Sequence, residues 1–146
     1  MGMTHQQLDW IADAVNPALL CVFLACGVAA LRGNRGRVAG LMARAGIALL
    51  VTYLLAHINH WMPLWAEHRG FPSGHMTFFL TLATSFFLLD RRSSLLTVPA
   101  AALYGWLIVF LGYHSLLDLL GAVALAIPVT LLCHRSSGGR RNPGPD

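Results

Sequence analysis

The sequence predicts an all-α integral membrane protein, a bundle of five transmembrane helices with a short N-terminal amphipathic helix. Three observations predict it. Hydrophobic residues make up 56% of the 146 and charged residues 11%, with a mean hydropathy of +0.61, too apolar a balance for a water-soluble domain of this length. Five apolar stretches, at about 12–31, 38–59, 74–90, 95–113 and 115–133, reach or approach the ~20 residues that cross a bilayer as helix. The basic residues, all ten of them Arg, fall mostly in short runs between those stretches.

Taken in order, Leu8, Ile11, Ala12 and Val15 recur at helical spacing opposite Asp9 and Asp13, which predicts an amphipathic surface helix that merges into the first span. No basic segment, short apolar core and small-residue cleavage site succeed one another at the N-terminus, so the first span is expected to stay in the membrane. Arg32, Arg35 and Arg37 fill the first loop, and Arg44 stands inside the second span. An intramembrane charge is a functional candidate by default. Arg44 lies close enough to the first loop to snorkel, and ~20 Å along the helix from His57, so a structural role is expected. A loop over about 60–73 leads to the third span, Arg91 and Arg92 form the next loop, and a tight turn near Tyr113 to Ser115 joins the last two spans. Cys21, Cys26 and Cys133 lie in apolar stretches away from any ligand spacing, so they are expected to pack rather than pair or bind zinc. Residues 1–134 are expected to form one domain and 135–146 a disordered tail, since its Gly, Pro, Ser and Arg bury too little apolar surface to order it.

Arginine placement orients the bundle. The first and third loops and the tail share one side and carry eight of the ten Arg, which makes that side cytoplasmic, as expected for an inner or plasma membrane protein. The N-terminus and the loops carrying histidine then face outward. Arg runs of this kind point to topology, not to a nucleic-acid partner.

His57, His60, His68, His75 and His114 all map to that outer side, while His5 and His134 have no assigned role. In Phe71-Pro72-Ser73-Gly74-His75, Pro72 stiffens the approach to the third helix and Ser73 is a natural N-cap. The free amides there favour an anion, Gly74 permits close approach, and His75 stands beside the spot. His114 and Asp118 fall at i and i+4, on one helical face, where the carboxylate can orient the ring and free its other nitrogen as base or nucleophile.

The Pro-Ser-Gly-His run, followed about forty residues later by Tyr113-His114 and Asp118 with the small residues Gly121 and Ala122, resembles the type-2 phosphatidic acid phosphatase superfamily of membrane lipid phosphate phosphatases. The resemblance covers about residues 50 to 125 and is that of a short member lacking the family's first helix. It implies phosphoryl transfer with no metal or cofactor: His114 as nucleophile forming a phosphohistidine, Asp118 orienting it, His75 as acid and then base, and Ser73 and Gly74 amides holding the phosphate oxygens. The substrate class implied is a polyprenyl or glycerolipid phosphate or pyrophosphate, hydrolysed or passed to another lipid at the outer face.

Three of the family's cations have no counterpart. Leu55 and Met62 stand where Lys and Arg would precede Pro63, and Leu107 and Ile108 replace the Ser-Arg ahead of His114. Arg69, the sole Arg expected on the outer side, is the first candidate to replace them, because a guanidinium grips phosphate bidentately. His57 and His60, at i and i+3 on one face, are the next, with His68 on the same side. Two other classes are considered: a metal-dependent membrane oxidoreductase ligated by His57, His60, His75, His114 and Asp118, and a non-catalytic lipid-phosphate-binding protein.

Overall fold

The structure, a computed structural model, describes residues 4–33, 35–62 and 71–135. The expected outer-loop residues His68 and Arg69 and the tail from Ser136 lie outside the described residues, as does the side chain of His60. The described chain is all helix and turn: α1 (His5–Ala30), α2 (Arg35–Trp61), α3 (Gly74–Leu89), a short 3₁₀ turn (Arg91–Ser93), α4 (Ser94–Phe110) and α5 (Leu116–Arg135). Four segments are long and apolar enough to cross a membrane, namely His5–Ala30, Arg35–Ile58, Arg91–Phe110 and Leu116–Arg135. The third apolar stretch forms the shorter α3, 16 residues or about 24 Å. It packs against all four other helices, so most of its surface is covered by protein.

The amphipathic start merges into α1, as expected, but it docks its inner face on the bundle instead of lying apart on the surface. Thr4 and Gln7 form a reciprocal capping box, and α1 then runs unbroken through Pro17 to Ala30. Residues 5–15 are its first turns because their inner face docks. Ala12 is buried at 2% exposure, Tyr104 Oη donates to its carbonyl at 3.3 Å, and Asn16 Nδ2 donates to the His75 carbonyl at 3.1 Å. A second correction concerns the cysteines. Cys21 and Cys26 are exposed on α1 and Cys133 is half-buried, because α1 turns one narrow face inward and leaves the rest uncovered.

Packing divides into two apolar clusters. One gathers Met76, Phe79, Tyr104, Ile108, Leu119 and Ala122, and the other Phe23, Leu41, Ala45, Leu82 and Phe86. Along α3, Ser73, Thr77, Thr81 and Ser85 recur every four residues, none more than 1% exposed. Thr81 Oγ1 donates to the Thr77 carbonyl at 2.8 Å, and Thr52 of α2 likewise to Ala48 at 2.7 Å. With the Thr81 and Thr52 hydroxyls bonded inside their own helices, these small side chains let α2, α3 and α5 approach closely.

The ends of the bundle differ. Trp10, Trp61 and Trp106 are exposed toward the end that carries His75 and His114. Arg32, Arg35, Arg37, Arg91, Arg92 and Arg135 gather at the other.

Helix α4 stops earlier than the apolar stretch, at a Schellman motif. Gly112 adopts φ 75°, Tyr113 N donates to the Ile108 carbonyl and Gly112 N to Val109, both at 3.0 Å, which is how a left-handed residue ends a helix. Gly112→Ala is expected to cost about 1 kcal/mol, measured as a lower denaturation midpoint in detergent.

Candidate active site

Two helix starts meet at the Trp-bearing end. At α3, Ser73 is the N-cap and its Oγ accepts from Met76 N at 3.3 Å. Its own amide donates to the Asp118 carbonyl at 3.1 Å, tying the Pro-Ser-Gly-His segment to the first turn of α5. The segment is seated by Phe71, whose ring occupies the place where a Cβ on Gly121 would stand. Gly121, read from the sequence only as a small residue after the second motif, is thus a socket for the first. Gly121→Val is expected to expel Phe71 at a cost of about 1–3 kcal/mol, checked by the denaturation midpoint.

At α5, Ser115 is the N-cap and Asp118 its reciprocal partner. Ser115 N and Oγ donate to Asp118 Oδ2 at 2.8 and 2.9 Å, and Asp118 N donates back to Ser115 Oγ at 3.3 Å. This is a capping box with Asp in place of Glu, and a carboxylate there also suits the positive end of the helix dipole. His114 Nδ1 lies 3.6 Å from the same Oδ2, an ion-pair separation longer than a direct hydrogen bond. Asp118 therefore holds the helix start first and faces the imidazole second.

The His75 and His114 ring centroids are 6.3 Å apart at 60°. They differ in setting: the His114 side chain is 14% exposed and that of Asp118 5%, whereas His75 is open. Among the described residues nothing lies within 4 Å of the position a Gly74 Cβ would take, which leaves space beside the first turn of α3. Beside His75, Gly74, His57, Asp13 and Asn16 help line a cavity of about 570 Å³ between α1, α2 and α3. His57 Nδ1 is 3.3 Å from the Tyr53 carbonyl, which accepts its hydrogen. Among the described residues, no three His, Cys, Asp or Glu side chains converge as a metal site would require.

Of the residues singled out from the sequence, His75, His114, Asp118, Ser73 and Gly74 come together, and His57 faces His75 across the cavity. His60 reaches the same end of α2 through its backbone. Helix α1 adds supports that the sequence reading missed. Besides Asn16, Asp9 Oδ1 accepts from Tyr113 Oη at 2.7 Å, and this bond holds the Tyr113 phenol protonated above its ordinary pKa of 10.0. Tyr113 directly precedes His114. The Ser-x-x-Asp spacing and the Gly after an apolar run are signals from which the cap and the turn were legible. The contacts of Asp9 and Asn16 reach across 59 to 104 residues of sequence and have no local signature. No family model, no curated protein and no solved structure matches this chain.

Proposed function

We propose that the chain is a membrane-embedded lipid phosphatase acting through a phosphohistidine at the end of the bundle that bears His75 and His114. The observation that carries this reading is the facing pair of imidazoles at two helix starts, one backed by Asp118 and the other beside the space at the first turn of α3. Two imidazoles this close suit attack on phosphorus by one and protonation of the leaving oxygen by the other. Such chemistry needs no residue beyond these and donors for the phosphate oxygens.

In this reading His114 Nε2 attacks phosphorus, forming the N–P bond as the P–O bond to the lipid breaks. His75 gives its proton to the departing lipid oxygen. Water then attacks the phosphohistidine, His75 takes its proton, and the N–P bond breaks to release inorganic phosphate and restore both rings. The α3 amides and His57, with Arg69 from the outer loop, would hold the equatorial oxygens. The chain would cross the bilayer five times with the N-terminus outside, a topology supported by Arg at one end and Trp at the other. The lipid tail would remain between helices while the phosphate reaches His114.

The test is phosphate release from a panel of polyprenyl and glycerolipid phosphates and pyrophosphates in detergent, with and without EDTA. EDTA-resistant release is the expected result. Activity abolished by EDTA and restored by a transition metal would replace this reading with a metal-dependent one, and no release from any member would leave a binding protein.

A further inference from the structure

A groove runs between α1 and α4, over α3, in the part of the bundle nearer its arginines. Toward the other end the two outer helices are tied together. The rings of His5 and Phe110 stack, and Tyr104 Oη donates to the Ala12 carbonyl and accepts from Asn16 Nδ2, both at 3.3 Å. Beyond those bonds the helices enclose a cavity of about 800 Å³, lined from Val15 to Ala30 on α1 and from Ala100 back to Asp90 on α4 and the 3₁₀ turn. Side-chain size accounts for it. Helix α1 offers Ala18, Val22, Cys26 and Ala30 at four-residue spacing, too short to fill the gap to α4, while the buried Phe79 and Phe86 line it from α3.

Polarity and length say what fits the groove. Its polar lining is confined to one end, where Asp90, Arg92, Ser93 and Thr97 stand, and every other lining residue is apolar. Asp90 is engaged there, its Oδ1 accepting from Arg92 N at 3.1 Å. Arg91 and Arg92 beside it, with Arg32 two residues past Ala30, leave that end net positive among the described residues. From Val15 to Ala30 the groove follows about 22 Å of helix, half of the ~40–45 Å of a bilayer with its head-group regions. One leaflet has that depth. A cationic end at head-group level and an apolar trough reaching the midplane match a phospholipid. The bonds of Tyr104 bridge α1 and α4 before the groove reaches His75, so it is separate from the candidate active site.

We infer that this groove binds an anionic phospholipid of the leaflet at the arginine end, with one acyl chain along α1 and the phosphodiester at Arg92. The inference rests on the membrane placement proposed above and not on the phosphatase reading. One cation at a membrane surface gives a preference of roughly fivefold for an anionic head group. Selectivity among lipids, rather than lipid contact as such, is therefore the property that the site adds.

The protein carries its own probe and control, since Cys26 lines the groove and Cys21, also exposed on α1, does not. Full-length protein is first tested for retention in carbonate-washed membranes, then purified in a neutral maltoside detergent. Alkylation of each thiol by N-ethylmaleimide is followed by mass spectrometry during titration with phosphatidylglycerol or phosphatidylcholine. Phosphatidylglycerol is expected to protect Cys26 and leave Cys21 unchanged, with phosphatidylcholine needed at roughly fivefold higher concentration for the same protection. Arg92→Gln, which keeps the backbone bond to Asp90, should narrow that difference, and Arg92→Lys should keep it. Val22→Trp, a change at a half-exposed position of the groove wall, should remove protection by either lipid. Equal protection by the two lipids, equal protection of the two thiols, an undiminished preference in Arg92→Gln or protection retained in Val22→Trp would overturn the inference. Protection of Cys26 that rises with protein concentration in the absence of lipid would overturn it too, making a second copy of the chain the occupant. Release of the protein by carbonate would overturn the membrane placement and the inference with it.

Discussion

Replacing His114 by Ala is expected to lower phosphate release from a lipid phosphate by roughly 10⁴-fold or more, with the protein still folded. The expectation separates the nucleophile from its scaffold. The Schellman motif at Gly112 uses only backbone groups, and the cap of α5 is made by Ser115 and Asp118, so removing the imidazole leaves the turn in place. A covalent intermediate gives a second readout: brief reaction of wild type with a ³²P-labelled lipid phosphate should leave acid-labile, base-stable label on the protein, absent from His114→Ala. A variant with wild-type turnover would remove His114 as nucleophile.

Asp118 is expected to show two separable effects. In Asp118→Ala, Ser115 N and Oγ lose their acceptor and α5 loses the carboxylate at its N-terminus, together about 1–2 kcal/mol of stability. In Asp118→Asn an amide oxygen can still accept from Ser115 N, so most of that stability should remain. The charge that faces His114 Nδ1 is gone in both, and turnover is expected to fall by roughly 10²–10⁴-fold in the Asn variant. Denaturation midpoints and rates measured on the same two variants therefore separate capping from orientation. Full activity in Asp118→Asn would reduce Asp118 to a helix cap.

Most of the helical framework was legible because an apolar run long enough to span a bilayer is a strong local signal, and α2, α4 and α5 follow their runs to within a few residues. The exceptions have physical causes. Helix α4 ends at Phe110 because Gly112 supplies the left-handed turn, although the apolar residues continue past it. Helix α1 absorbs the expected surface helix because Ala12 and Asn16 find partners on α3 and α4. The candidate site was legible where it is local, in Ser73 as a cap and in His114 and Asp118 at one-turn spacing. It was not legible where it is assembled at a distance, as in Phe71 on Gly121 or Asp9 on Tyr113. The i,i+4 rule also named the right pair but the wrong first partner, since Asp118 meets Ser115 more closely than His114.

The two hydrogen bonds from α1 bear on the order of assembly. Asn16 holds the carbonyl of His75, and Asp9 holds the residue before His114, so α1 touches both histidine-bearing segments before α5 has been made. The amide of Ser73 closes onto Asp118 only after α5 has emerged. The imidazole pair thus draws support from the first helix and the last alike. On the proposed reading, a nascent chain halted before α5 would carry both His75 and His114 but neither Asp118 nor its bond to the Ser73 amide, and would be inert until α5 had emerged.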